Sequence, residues 1–167
     1  MTDGWNFSGI TGYSTGSPFT PGFSMTNNLD ITGTPSTGAR IDVIGNPYEN
    51  VPVGTPGLPH GRIWFNPAAF RAAAVGTLGN AGVNIMYGPG YINHDVTLNR
   101  KIQLGASEKR QLQLKVEAFN VLNHVQFTGV NSSFTYNAAG VNSNANIGAL
   151  TGERGPRIVS LELRVQF

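Results

Sequence analysis

Residues 12–16 read Gly-Tyr-Ser-Thr-Gly, and the Gly-x-Ser-x-Gly pattern marks a nucleophilic serine in one large class of hydrolases. In those enzymes the serine lies on a sharp turn between a strand and a helix. Here Ser14 is followed by "TGSPFTPG", which contains two prolines and no helical periodicity. If Ser14 were a nucleophile, Asp95 and His124 would complete a triad in the chain order Ser, Asp, His. The flanking residues instead favour a Ser14 that ends a strand.

Three carboxylates are the other candidates for acid–base chemistry. Glu117 and Glu162 alternate with apolar neighbours, and a glycosidase-type pair separated by about 5–10 Å could form between adjacent strands. Asp95 lies at the start of a third alternating stretch. Basic residues interleave with these acids, so we expect the carboxylates to line a polar surface and no residue to be catalytic. The alternative is an autonomous β-rich hydrolase acting on a polysaccharide or an ester.

The sequence predicts no metal site and no cofactor. His60, His94 and His124 are far apart in the chain, without the short spacings typical of metal ligands, and there is no cysteine. The stretches "GPG", "GNAG" and "TGERG" are predicted to be turns, because no strand–glycine–helix unit with a lysine follows them. The net charge of +2 comes without a basic run, so nucleic acid is not expected as a partner.

The composition favours short strands and long polar connections. Only 12% of the 167 residues are charged, against about 25% in average proteins, and there are 22 glycines and 10 prolines. The N-terminus "MTDGWNFSG" has neither the basic nor the apolar region of a signal peptide. No apolar run approaches the roughly 18 residues of a membrane helix. We therefore expect the chain to be either cytoplasmic or a fragment of a longer protein.

Four stretches alternate between apolar and polar residues, which predicts β-strands with one apolar face. The predicted strands cover about 5–13, 94–104, 111–120 and 158–167, and the long loops cover 14–93 and 121–157. The predicted fold class is all-β, with antiparallel amphipathic strands and long loops, and residues 1–167 are expected to form a single segment of a partial transmembrane β-barrel. If the chain folds alone, a small β-sheet or sandwich is expected.

The two middle strands are joined by "GASEKR", which predicts a tight hairpin. Lys101 is expected to pair with Gln113, because the next register would oppose two lysines. This register sets Thr97 against Glu117 and leaves a three-residue loop from Ala106 to Glu108, an allowed hairpin length.

The unequal connections suit a transmembrane β-barrel, in which short periplasmic turns alternate with long extracellular loops. If the C-terminus lies in the periplasm, "GASEKR" is a periplasmic turn and both long loops are extracellular. Arg100 departs from the pattern, because it lies on the apolar face, where an arginine facing lipid costs about 2–4 kcal/mol. It would have to snorkel to the interface or be turned inward by a bulge.

Five stretches together point to a family: "YSTGSPFTP", "WFNPAAF", "GTLGNAGVNIMYGPGYINHDVTL", "VEAFNVLNHVQF" and "GERGPRIVSLELRVQF". In this order they resemble the C-terminal part of a TonB-dependent outer-membrane receptor, of the Oar-like group that carries a carboxypeptidase-regulatory-like domain. No single stretch is diagnostic, but the ordered set spans nearly the whole chain. Such receptors resemble one another in a barrel of about 22 strands with a plug. This chain supplies about four strands and neither the plug nor the TonB box.

The resemblance implies nutrient uptake across the bacterial outer membrane. It also implies a C-terminal signal that the barrel-assembly machinery recognises, formed by Val159, Leu161, Leu163, Val165 and Phe167. The implied partners are outer-membrane lipid, the remainder of the receptor barrel, the assembly machinery and a glycan or peptide ligand. Because four strands cannot close a barrel, their edges would be unpaired, and the chain could self-associate through them.

The long loops are rich in aromatic residues and contain the helix candidate. Trp64, Tyr87, Tyr91 and Tyr136 are candidates for binding a glycan or another nutrient by stacking. For most loop aromatics the simpler expectation is that they pack the loops against one another. The helix candidate is "NPAAFRAAA" at 66–74, opened by an asparagine cap and a proline at the first helical position.

Overall fold

The computed structural model describes residues 4–26, 30–32, 38–54, 57–58, 61–105 and 110–167. It contains twelve described strands: β1 (Trp5–Ser14), β2 (Pro18–Phe19), β3 (Gly22–Met25), β4 (Asp42–Val43), β5 (Phe70–Arg71), β6 (Met86–Tyr87), β7 (Tyr91–Gln103), β8 (Gln111–Phe119), β9 (Phe127–Val130), β10 (Ser133–Tyr136), β11 (Leu150–Glu153) and β12 (Ile158–Gln166). The chain divides into two compact units. The sheet unit comprises residues 1–14, 90–126 and 153–167, and the loop unit comprises residues 15–89 and 127–152.

The sheet unit is built on a four-stranded antiparallel sheet in the order β1-β7-β8-β12. The predicted hairpin register is confirmed, since Lys101 lies opposite Gln113 and Thr97 lies opposite Glu117. The Leu104 N–H donates to the Arg110 carbonyl oxygen at 2.8 Å, which continues the ladder towards the turn. The predicted loop from Ala106 to Glu108 lies outside the described residues.

The sheet has one apolar and one polar face, because strand residues alternate in direction and the register aligns like residues in rows. The rows on the apolar face are Gly9, Val96, Ala118 and Val159; Phe7, Leu98, Val116 and Leu161; Trp5, Arg100, Leu114 and Leu163; and Ile102, Leu112 and Val165. The central rows on the polar face are Ser8, Thr97, Glu117 and Ser160; Asn6, Asn99, Lys115 and Glu162; and Lys101, Gln113 and Arg164. The apolar face is open, with Phe7 and Leu161 exposed by 71% and 70%.

The sheet is not closed. Among the described strands, β1 pairs only with β7, and β12 pairs only with β8, so each outer strand has one unpaired edge. In hydrocarbon, every unpaired backbone N–H and C=O group costs several kcal/mol. Both edges therefore require further strands or another covering if the sheet is to enter a membrane.

The loop unit has its own core, although its sequence shows no long alternating stretch. Its short strands pair as β3 with β10, β2 with β6, β4 with β5, and β9 with β11. The pairing of β3 with β10 is parallel and joins the two long segments of the chain. The core is a cluster of aromatic and aliphatic side chains that includes Phe65, Phe70, Phe134, Tyr136, Ile41 and Met86.

Aromatic contacts dominate that core. The Phe134 ring lies 5.5 Å from the Phe70 ring and 6.2 Å from the Phe65 ring, measured between centroids. It also stacks on the Tyr136 ring at 5.5 Å with an angle of 4° between the planes. These geometries are ones that aromatic pairs prefer. The prediction that most loop aromatics pack against one another is confirmed for these four residues.

The helix predicted at 66–74 is wrong beyond its first turn. A 3-10 helix covers Pro67–Ala69, and the Asn66 side chain caps it by accepting a hydrogen bond from the Ala68 N–H at 3.0 Å. The chain then becomes extended at Phe70, which pairs with Val43. Because the Phe70 ring contributes to the aromatic core, packing prevails over the helical propensity of the alanines that follow.

Tyr136 places a phenol in the core of the loop unit. The residue is 3% exposed, and its hydroxyl has no hydrogen-bond partner among the described residues. Burial raises the pKa of Tyr136 from 10.0 to about 12. The folded loop unit therefore holds this proton more tightly than the unfolded chain does.

We expect Tyr136→Phe to raise the free energy of unfolding of the loop unit by about 1 kcal/mol, because it removes an unsatisfied buried hydroxyl. The wild type should also lose stability as the pH rises from about 10 to about 12, since the unfolded chain releases the phenol proton first. Urea unfolding at about pH 9 and about pH 11.5 measures both effects. An equally steep alkaline loss in the phenylalanine variant would contradict this assignment, because the other tyrosines are common to both proteins.

Candidate functional site

A cavity of about 390 Å³ lies within the sheet unit. We call it the polar-face cavity. Its lining consists of Tyr91, Asn93, Asp95, Phe119, Asn120, Gln126, Arg154, Gly155, Pro156 and Ile158. The volume falls within the range of about 300–1,000 Å³ that is typical of small-molecule sites.

Strand alternation places this cavity at one end of the polar face. Tyr91, Asn93 and Asp95 occupy every second position of β7, so their side chains share a face. On the neighbouring strands β8 and β12, Phe119 pairs with Ile158, one residue beyond the pair of Val96 with Ala118. The cavity thus continues the polar face beyond the row that contains Thr97 and Glu117.

Asn120 connects two segments that line the cavity. It follows β8 in the left-handed region with a φ of 50°, a conformation that asparagine tolerates better than most residues. Its side-chain amide donates to the carbonyl oxygens of His124 at 3.2 Å and Gly155 at 3.4 Å, and its own Oδ1 accepts from the His124 N–H at 3.1 Å. Asn120 therefore ties the turn after β8 to the segment that leads into β12.

Several polar groups line the cavity, among them Asp95, Arg154 and Gln126. Asp95 Oδ1 accepts hydrogen bonds from the Asn93 side chain and from the Asn120 N–H, both at 2.8 Å. The Arg154 guanidinium lies 4.3 Å from the centroid of the Tyr91 ring, a cation–π contact. Gln126 is 4% exposed, and within the described part of the chain nothing donates to its Oε1.

A match to a known protein family identifies the kind of domain that contains this sheet. A family model for an outer membrane beta barrel domain covers residues 1–160. The chain belongs to this family. Comparisons with curated proteins and with solved structures gave no match. The predicted fold class is confirmed, since this outer membrane β-barrel domain is all-β. Its four long strands form an open part of a barrel. The family match localises the domain to the outer membrane.

The apolar face of the β-barrel domain is the one that such proteins turn towards lipid. The predicted assembly-signal residues Val159, Leu161, Leu163 and Val165 lie on this face of β12, and Phe167 follows the strand with 91% of its surface exposed. These positions give an aromatic end preceded by an apolar side chain at every second residue. Their recognition by the assembly machinery stays a prediction.

Arg100 lies on the apolar face of the domain, as its position in the alternation predicts. Its guanidinium carbon is 4.9 Å from the centroid of the Trp5 ring. Its Nε is buried and has no hydrogen-bond partner in the part of the chain that the structure describes. The strand pairing continues regularly through Arg100, so no bulge turns the side chain inward, and the Trp5 ring shields the charge instead.

The structure does not bring the serine triad candidates together. Ser14 pairs with Tyr91, whereas Asp95 pairs with Ile10, four residues away along β1. At about 3.3 Å per strand residue, this separates the two levels by about 13 Å. No helix directly follows Ser14: residues 15–17 are irregular, and Pro18–Phe19 form a strand. The third candidate, His124, donates its backbone N–H to Asn120 Oδ1, and Asn120 lines the polar-face cavity.

Glu117 and Glu162 are diagonal neighbours on the polar face, because Glu117 pairs with Ser160 and Glu162 pairs with Lys115. Their Cα atoms are therefore about 7–8 Å apart. The Lys115 ammonium lies 2.9 Å from Glu117 Oε1 and forms an ion pair with it. These contacts favour a charged polar lining.

The aromatic ligand-binding candidates have three different environments. The Trp64 indole N–H donates to the Tyr87 carbonyl oxygen at 2.7 Å, and Tyr87 itself is 59% exposed. Tyr136 is buried in the core of the loop unit. Only Tyr91 of these four lines the polar-face cavity, where Arg154 covers its ring. Gln126 and Arg154 were not predicted as site residues, because they lie outside any alternating stretch and become neighbours only through the fold.

The described histidines and carboxylates do not form a cluster, and the helices are short. Within the described ranges, no group of three His, Asp or Glu side chains is placed to hold a metal ion. The Thr11 hydroxyl lies 2.9 Å from His94 Nδ1, whereas His60 lies outside the described residues. None of the helices in the described part of the chain is long and apolar enough to cross a membrane.

Proposed function

We propose that this β-barrel domain is the C-terminal segment of a TonB-dependent receptor that imports a nutrient across the outer membrane. The observation that supports this function best is the direction of the connections. Ser14 pairs with Tyr91, and Phe119 pairs with Ile158, so both long segments leave the sheet and return to it at one end. The tight connection from Gln103 to Gln111 lies at the other end. Long extracellular and short periplasmic connections are the arrangement of outer-membrane barrels.

The polar face supplies the second support. Lys115 with Glu117, Glu162 and Arg164 give a charged and hydrated surface that is opposite the apolar face. In a closed barrel this surface lines the lumen, where a nutrient and a plug would contact it. The sequence resemblance to TonB-dependent receptors distinguishes this proposal from a passive porin.

The proposal includes the partners. Residues 1–167 act as one segment of the barrel, with the unpaired edges of β1 and β12 joined to strands from the remainder of the receptor. Outer-membrane lipid covers the apolar face, and the barrel-assembly machinery recognises β12. The nutrient is a glycan or a peptide.

The test uses the source bacterium. We expect deletion of the sequence that encodes this domain to abolish uptake of one of two probes, a ¹⁴C-labelled starch hydrolysate or a ¹⁴C-labelled protein hydrolysate. In the wild type, a protonophore should reduce uptake of the same probe to the level of the deletion strain, because TonB-dependent transport uses the proton gradient. Uptake that requires the domain but persists with the protonophore would identify a passive channel and overturn the proposal.

A further inference from the structure

We propose that the polar-face cavity binds a small zwitterion, namely a free amino acid or a short peptide. The proposal deepens the proposed function by naming the nutrient class, and it rests on that function for its role in transport. Binding itself depends only on residues of the sheet unit.

The cavity contains two opposite charges. Asp95 and Arg154 line the same cavity, but no ion pair joins them, and Arg154 has no carboxylate partner among the described residues. The hydrogen bonds that Asp95 accepts from Asn93 and Asn120 both go to Oδ1. A ligand that carries an ammonium and a carboxylate compensates both charges in one step, whereas an uncharged ligand would desolvate them without compensation.

The cavity has groups that match each end of a zwitterionic ligand. The Tyr91 ring supports the Arg154 guanidinium from one side, which orients its planar donors for a two-point contact with a carboxylate. The side-chain Oε1 of Gln126 lacks a donor among the described residues, and the Asp95 carboxylate lines the same cavity. An ammonium group supplies three N–H donors, enough for both acceptors.

Part of the cavity lining is apolar. Phe119 and Ile158 lie on the otherwise polar face and are 45% and 59% exposed, and Pro156 adjoins them in the cavity. These three side chains offer an apolar surface to the side chain of an amino acid. A sugar would leave the charges of Asp95 and Arg154 uncompensated, and Arg154 already covers one face of the Tyr91 ring.

The test measures binding by isothermal titration calorimetry to the full chain refolded in detergent micelles. The probes are L-leucine, glycyl-L-leucine, the uncharged N-acetyl-L-leucinamide and maltotriose. We expect at least one of the two zwitterions to bind, and the uncharged amide and maltotriose to bind at least about tenfold more weakly, since each lacks the charges that the cavity complements.

Three variants and one control locate the site. Asp95→Asn, Arg154→Gln and Gln126→Leu should each weaken zwitterion binding by about tenfold or more. Asp95→Asn keeps an acceptor for the Asn120 N–H, and Gln126→Leu removes a buried side-chain oxygen that lacks a donor. Both variants are therefore expected to fold. Arg164→Gln removes a charge from the same polar face outside the cavity and should bind as the wild type does.

Either of two results would overturn the inference. One is a refolded chain, with strand-type circular dichroism, that binds neither zwitterion. The other is binding that Asp95→Asn and Gln126→Leu leave unchanged while both variants fold. Failure of the transport proposal is recognised separately: protonophore-insensitive uptake rejects TonB dependence even if zwitterions bind, and protonophore-sensitive uptake of the starch hydrolysate alone rejects only the zwitterion.

Discussion

Leu161→Arg is expected to lower the free energy of unfolding of the membrane-embedded barrel by about 2–4 kcal/mol, because Leu161 lies on the lipid-facing side, where a buried arginine is costly. Leu161 pairs with Val116 in a row that also contains Phe7 and Leu98. On β12 the neighbours of Leu161 on the same face are Val159 and Leu163, so an arginine there cannot easily reach an interface. Guanidinium unfolding of the complete receptor barrel, refolded in lipid vesicles, measures the loss.

Ser160→Arg is the matched control, since it places the same side chain one residue earlier in β12 and on the opposite face. Ser160 pairs with Glu117, so the new arginine would meet a carboxylate and water. We expect the stability to change by less than about 0.5 kcal/mol, as for other surface substitutions. Equal losses in the two variants would show that the apolar face of this sheet is not the one in contact with lipid.

Phe134→Ala is expected to destabilise the loop unit by about 3–5 kcal/mol, the usual cost of removing a large aromatic side chain from a packed core. Phe134 is 1% exposed and contacts the rings of Phe65, Phe70 and Tyr136. Its removal takes one ring from three aromatic pairs at once. Amide hydrogen exchange is the measurement, and faster exchange is expected in β3, β4, β5 and β10.

Val141→Ala serves as the control for this substitution. Val141 belongs to the same unit and is 59% exposed, so truncating it should leave exchange nearly unchanged. The β7 and β8 amides of the sheet unit should keep their protection in both variants, since the aromatic core contains none of their residues. If Phe134→Ala left the exchange of the loop unit as slow as in the wild type, the aromatic cluster would not be its core.

The long strands could be predicted because membrane strands carry a periodic signal. Alternation located the apolar and polar faces, and the cost of opposing Lys101 to another lysine was enough to predict the register of the hairpin. The start of β7 was harder to predict. Tyr91, Ile92 and Asn93 continue the ladder with β1, although they precede the alternating stretch that the sequence makes evident.

The loop unit could not be derived in the same way. Strands of two to four residues are too short to show a period, and their pairings join residues that are far apart in the chain. At Phe70 a helical pattern gave way to burial of the ring, which no local rule anticipates. The polar-face cavity has a similar origin, since Arg154 meets Tyr91 only after β12 is in place. Asn120 and Asn123, both at a φ of 50°, are the local hint that the chain turns there.

The parallel pairing of β3 with β10 has a consequence for how this protein folds and how it can be changed. The core of the loop unit takes Phe65 and Phe70 from the first long segment, and Phe134 and Tyr136 from the second. These contacts join residues that are far apart in the sequence. The aromatic side chains of the first segment therefore stay exposed until the second segment has been synthesised and can pack against them. For the same reason, exchanging only one long segment between related barrels would replace the aromatic residues on one side of the core and leave those on the other side unchanged. The two segments have to be exchanged together.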